Sequence, residues 1–193
     1  ETGRIHFFTS EGGMCTYSEY DNKIKPSVYN SLLLKETKDY ITSALQIGSD
    51  FWFGTLGGGL IKLNTETKKT AHFNHKNGLP NNVIYGILKD KENDIWMSTN
   101  KGLLKLNTRT GKFISYKDYG GFLVSEFNQG AFLKAKSGEL FFGGINGYNF
   151  FNPEDIRKKE RNTNISIISL KISNEPVFPG KESVISEAIN FVK

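Results

Sequence analysis

Glu126, Glu139, Glu154 and Asp155 are the side chains whose type would serve hydrolysis, since glycoside cleavage needs two positioned carboxylates, or a tyrosine nucleophile with an acidic partner. Their contexts argue against that use. Glu139 stands in a turn, and Glu154-Asp155 follow Pro153 where a module ends, so they read as solvated surface. His72 and His75 have an HxxH spacing that could hold a metal on a helix. On a strand they would not converge, and no third ligand accompanies them. Gly57-Gly58-Gly59 is not a phosphate loop, because no GK[ST] follows it. The sequence therefore implies no cofactor, no metal and no catalytic residue.

A second chemistry is open to amides and aromatics. Asn81, Asn82, Asn100, Asn128, Gln129 and Asn146 carry the donor and acceptor pairs that suit sugar hydroxyls, and Tyr119, Phe122 or Tyr148 could supply a platform for a ring face. A plainer reading competes, since Asn77-Gly78 and Asn146-Gly147 are also turn signatures. Which reading holds depends on the elements that carry these residues.

Those elements repeat. Phe51 to Lys69 (FWFGTLGGGLIKLNTETKK), Ile95 to Lys112 (IWMSTNKGLLKLNTRTGK) and Leu140 to Asn152 (LFFGGINGYNFFN) are copies of one unit, and Ile5 to Ser18 (IHFFTSEGGMCTYS) is a fainter one. The marker aromatics Trp52, Trp96 and Phe141, with His6 in the first copy, recur at about 45 residues, the length of one four-stranded propeller blade. The clearest copy predicts an inner strand Val83 to Leu88, a second Ile95 to Thr99, a third Leu103 to Leu106 and an outer strand Lys112 to Tyr116. Helical periodicity is not visible. Trp52 and Trp96 are expected between adjacent blades, where large aromatics bury the most area. Small residues are expected on the inner strands at Ala44, Gly86 and Ala131, because blades converge on an axis. In such a wheel the loops entering the inner strands share a face with the loops joining second and third strands. That brings Asn77 to Asn82 beside Leu56 to Gly59, Asn100-Lys101 and Ile145-Asn146.

The composition fits this all-β reading. The 20 glycines against 5 prolines favour short strands joined by tight turns. A formal charge of +5 raises the question of nucleic acid, but the lysines are scattered, and the densest run, Arg157 to Arg161 (RKKER), contains a glutamate and sits in an expected linker. Cys15 is the single cysteine and cannot form an internal disulfide. We expect propeller blades over 1–156, a linker at 157–163, and the start of a β-sandwich over 164–193, with a strand Asn164 to Ile172 and a turn at Asn174-Glu175-Pro176. The first copy enters at its second strand. An incomplete wheel exposes blade faces and edges, so self-association through propeller edges or the sandwich is expected.

Asn77 to Tyr116 (NGLPNNVIYGILKDKENDIWMSTNKGLLKLNTRTGKFISY) resembles the two-component regulator propeller repeat, with its G-L-P-x-N-x-V opening, D-x-x-x-x-I-W-x-x-T middle and G-L-x-x-L/Y-N/D close. Phe51 to Lys69 matches the same unit. Ser125 to Pro153 resembles the final blade of such propellers, and Ile165 to Phe191 the beginning of the three-tyrosine β-sandwich that follows. His6 and Phe8 depart from the usual Trp and Gly. The resemblance implies a periplasmic portion of an inner-membrane hybrid sensor histidine kinase of the Bacteroides type. Such a sensor detects oligosaccharides and signals to a cytoplasmic kinase and a transcription regulator. It implies no enzymatic activity in this segment, no nucleic acid contacted by it, and a membrane reached only through the parent. The alternatives are a carbohydrate-active or a purely protein-binding secreted propeller. The aspartate-box repeat of sialidase-type propellers is missing from the sequence.

Overall fold

The computed structural model of the chain describes residues 4–9, 13–116, 121, 122, 124, 126–156, 170–173 and 175–177. Two compact units divide it, Glu1–Pro153 and Glu154–Lys193. The expected linker at 157–163 and most of 164–193 lie outside the described residues.

The first unit is a run of antiparallel sheets that form the blades of an open, partial propeller. Strands β1 (Arg4–Phe8), β2 (Met14–Ser18) and β3 (Lys23–Pro26) make the first blade. Strands β4 (Ile41–Ile47), β5 (Asp50–Thr55), β6 (Leu60–Asn64) and β7 (Thr70–Phe73) make the second. The third holds β8 (Ile84–Lys89), β9 (Ile95–Thr99), β10 (Gly102–Leu106) and β11 (Phe113–Ser115), within a residue or so of the strands read from the sequence. The fourth holds β12 (Phe127–Lys134), β13 (Leu140–Gly144) and β14 (Gly147–Phe151). In every blade, strands adjacent in sequence are neighbours in the sheet, and the inner strands β4, β8 and β12 pack side by side.

Alternation along each strand explains why blades stack. One face of a blade carries the marker aromatic, and the other carries its sequence neighbours. His6 and Phe8 of the first blade meet Phe51 and Phe53 of the second edge-on, with ring centroids 5.3 and 5.2 Å apart. Trp52 of the second blade is buried with Ile87, Ile95, Met97, Leu104 and Leu106 of the third. Trp96 lies against Phe151 of the fourth at 4.7 Å and is fully buried. The expectation that tryptophans fill the space between blades is met.

Three expectations are corrected. The small position on the inner strand is Ser43 and not Ala44: Ser43 pairs with Gly54 as Gly86 pairs with Ser98, while Ala131 contacts Gly143. The hairpin joining β4 to β5 is one residue tighter than its counterparts, Gln46 pairing with Phe51 where Lys89 pairs with Ile95, and this shifts the count by one. The position must be small, because a Cβ on Gly86 would lie 2.1 Å from the Phe132 ring. Between the first two blades stands a helix, α1 (Asn30–Glu36), where none was expected. It is held by the fully buried Leu33, among Met14, Ile41 and Phe53. In the second unit, β15 (Leu170–Ile172) pairs with β16 (Glu175–Val177), so Glu175 and Pro176 belong to a strand, and Ser173 stands in a turn at φ +50°.

Candidate functional site

The loop Asn77 to Asn82 is built largely from its own amides. Asn74 opens a 3-10 turn at His75–Asn77, and its side chain accepts from Lys76 N while the Asn77 side chain accepts from Asn74 N. Gly78, at φ +99°, closes that turn in a conformation that favours glycine. Leu79 then anchors the loop in the core. Asn81 is buried; its Oδ1 accepts from Val83 N at 2.8 Å and its Nδ2 donates to Asn100 Oδ1 at 2.5 Å. Asn82 Oδ1 accepts from His75 N, and its carbonyl accepts from Gly57 N and Gly59 N at 3.2 and 2.9 Å. The loop 77–82 meets the loops at Leu56 to Gly59 and at Asn100, as the blade topology requires. Asn81, Asn82 and Asn100 are engaged in holding them together.

Asn128 and Gln129 are placed differently. Between the pairs Ile41–Thr55 and Ser43–Gly54 the inner strand β4 carries one extra residue, Thr42, and β8 carries Tyr85 at the same point. In β12 the pairs Phe127–Gly144 and Phe132–Phe142 enclose Asn128, Gln129, Gly130 and Ala131 against Gly143 alone, a larger bulge. Gly130 sits at φ +77°, and Asn128 and Gln129 are both exposed. Thr42 Oγ1, which has one proton to give, lies 2.6 Å from Ile84 O of the next blade and 3.0 Å from Gly54 O. The enlarged bulge thus sets two amides at the start of an inner strand. Asn146 is exposed at the tip of the β13–β14 hairpin, whose Ile145 N donates to Glu126 O.

Of the proposed aromatic platforms, Tyr148 stands apart from them. Tyr148 lies on the face of the fourth blade that carries Phe141 and Phe150, 60% exposed. Phe122 packs on Tyr116 and Phe151, and Tyr119 lies outside the described residues. The structure therefore brings Asn81 and Asn100 together but leaves Tyr148 on a different surface.

Among the carboxylates, Glu139 accepts from the Ser137 hydroxyl. That bond, with the Glu139 backbone N–H and the charge of Lys91, holds its pKa below the ordinary 4.5. A general acid needs the opposite shift. His72 Nε2 donates to Gly58 O at 2.5 Å, and among the described residues no group of three or more His, Cys, Asp or Glu is arranged to hold a metal.

Two residues missed in the sequence reading are structural. Asp90 Oδ1 accepts from Glu92 N and Asp94 N and its Oδ2 from Trp96 Nε1, so it fixes the turn and the marker aromatic together. Its place six residues before Trp96 was the available signal. Asn149, buried on β14, clamps Val124 through both its amide atoms. A cleft of about 460 Å³ opens at the opposite ends of the strands, lined by Trp52, Lys62, Lys91 and Thr108, with Lys62 paired to Asp50 and Arg109 to Glu92. None of the candidate amides lines it.

Residues 78–101 match the model of the two-component regulator propeller. A histidine kinase, P4, of Formosa agariphila is 28% identical over 140 residues, which is 72% of this chain and 10% of that protein. A crystal structure described as the extracellular domain of a hybrid two-component system of B. thetaiotaomicron is 25% identical with a TM-score of 0.67, covering 92% of this chain and 25% of that one. A second such domain from the same organism is 22% identical, TM-score 0.62, over 79% of this chain and 20% of that one, a likeness of fold. The chain thus spans a quarter or less of each relative. Residues 78–101 thus match a two-component regulator propeller repeat, and the chain is similar over most of its length to the extracellular domain of a hybrid two-component system.

Proposed function

We propose that the chain is part of an extracytoplasmic sensing region of a hybrid two-component system, and that its role is to bind and signal, not to catalyse. The observation that carries this reading is the similarity over 92% of the chain to the extracellular domain of such a system. The finer proposal is that the ligand is an oligosaccharide. The exposed amides Asn128 and Gln129 on the enlarged bulge, with Asn146 nearby in sequence on the following hairpin, are its supports. A ligand that binds one arrangement of the sensing region more tightly shifts its population, and a cytoplasmic kinase and transcription regulator in the parent inner-membrane protein would read that shift.

The test is calorimetric titration of defined oligosaccharides into the protein, with product analysis by chromatography. Saturable binding that weakens about tenfold in Asn128→Ala plus Gln129→Ala, a loss of about 1.4 kcal/mol, supports the reading. Cleavage of the sugar would overturn the non-catalytic role, and binding indifferent to both substitutions would remove the bulge from the site.

A further inference from the structure

The middle one of the three packed inner strands carries an aromatic side chain at its bulge. The bulge residue of β4 is Thr42, that of β8 is Tyr85, and the larger bulge of β12 holds Asn128 to Ala131. All three interrupt the ladder at one level, directly after the pairs Ile41–Thr55, Ile84–Thr99 and Phe127–Gly144. Strand β8 has a described inner strand on each side, so the setting of Tyr85 is fixed from both.

Thr42 shows which way a bulge residue faces. Its Oγ1 lies 2.6 Å from Ile84 O, the carbonyl just before the bulge of the next inner strand. The corresponding neighbour of Tyr85 is the carbonyl of Phe127, where the peptide of Asn128 begins. Parity agrees. Ile84 and Ile87 pack in the cluster around Trp52 of the second blade, whereas Gly86 faces Phe132 of the fourth. Alternation from Ile84 puts Tyr85 on the side of Gly86, toward the fourth blade.

Tyr85 is not what closes the space between those blades. Between the second and third, the Thr42 hydroxyl reaches Gly54 O and Ile84 O; between the third and fourth, the Phe132 ring lies against Gly86. Tyr85 is half-buried and belongs neither to the cluster around Trp52 nor to the stack of Trp96, Tyr116 and Phe151. A phenol ring beside exposed amides is a combination suited to saccharides, the ring covering C–H groups and the amides meeting hydroxyls.

We infer that Tyr85 is the stacking platform of the bulge site, taking the hydroxyl-poor face of a pyranose while Asn128 and Gln129 bind its hydroxyls. This rests on the oligosaccharide reading above and gives the aromatic role to an inner-strand residue in place of Tyr148. Such a platform selects sugars that present one face of C–H groups, as β-linked glucose and galactose do.

Titration calorimetry with cellohexaose, maltohexaose and galactohexaose tests it, on the wild type, Tyr85→Ala, Tyr85→Phe, Tyr148→Ala and the Asn128→Ala plus Gln129→Ala pair. Tyr85→Ala should weaken binding by about fivefold to tenfold, and Tyr85→Phe should stay within about twofold of the wild type because the ring remains. Tyr148→Ala should bind as the wild type does. In ring-labelled wild-type protein the Tyr85 resonances should shift on saturation and those of Tyr148 should not, a readout that holds even where Tyr85→Ala loses its fold. Binding that weakens in the amide pair but persists in Tyr85→Ala would overturn the platform and leave the sugar reading standing. Equal losses in Tyr85→Phe and Tyr85→Ala would overturn the stacking role in favour of the hydroxyl. Absence of binding by all three sugars would overturn both the platform and the reading it rests on.

Discussion

Replacing Trp96 by alanine should remove the largest single contribution to the packing between the third and fourth blades. The indole is fully buried, 4.7 Å from Phe151 and 5.1 Å from Tyr116, with Lys105 Nζ 5.4 Å from its centroid and Nε1 donating to Asp90 Oδ2 at 3.2 Å. Truncation of such a side chain costs about 3–5 kcal/mol, a large share of the roughly 5–15 kcal/mol that holds a domain folded. At about 2–4 °C per kcal/mol for a unit of this size, Tm should fall by about 6–20 °C. Trp96→Phe separates the two roles of the indole: it keeps a ring against Phe151 and loses the N–H given to Asp90, a loss of about 1.5–3 kcal/mol. Urea denaturation followed by the fluorescence of Trp52, the one tryptophan left in either variant, measures both. A Trp96→Ala cost below about 1 kcal/mol, the range of surface substitutions, would refute the placement of this ring between blades. Equal costs for the two variants would assign its contribution to the hydrogen bond.

Three further outcomes follow from the same packing. Gly86→Ala should destabilise by about 1–3 kcal/mol through overpacking, because the new methyl meets the Phe132 ring; Phe132→Leu should relieve part of that cost in a double-mutant cycle by urea denaturation. Ser98 Oγ is buried with no hydrogen-bond partner, so Ser98→Ala should be neutral or stabilising by up to about 1–3 kcal/mol, read as an unchanged or raised midpoint. Glu139 should titrate below 4.5 by carboxyl NMR and return toward that value in Ser137→Ala. Since its pKa is lowered in the folded state, its contribution is present at neutral pH and lost as pH falls below 4.5 through the folded value.

The blades were legible because their markers are large and evenly spaced: Trp52, Trp96 and Phe141 repeat in sequence as they do in space. Finer register was not, since a hairpin shortened at Gly48-Ser49 moved the small position from Ala44 to Ser43, and no periodicity reports a turn one residue tighter. Helix α1 escaped notice because seven residues with one fully buried leucine carry no helical period. At the candidate site, location was easier to read than role. Asn81, Asn82 and Asn100 stand on the expected face, but the backbone N–H groups of Val83 and His75 claim the oxygens of Asn81 and Asn82, and the Asn81 amide claims that of Asn100, which residue type alone does not reveal. Tyr148 was placed with them although it alternates in step with Phe150, and that parity puts it on the marker face instead.

The bulge in β12 also says where this repeat tolerates change. Pairing resumes at Phe132–Phe142 however many residues precede it: β4 and β8 take one extra residue at this point, and β12 takes more without disturbing the strands that follow. Length is absorbed locally, so an insertion here leaves every inward and outward side chain of the rest of the blade in place. This makes the start of the inner strand a natural grafting point, where new recognition loops can be exchanged between otherwise interchangeable blades while the scaffold around them keeps its alignment.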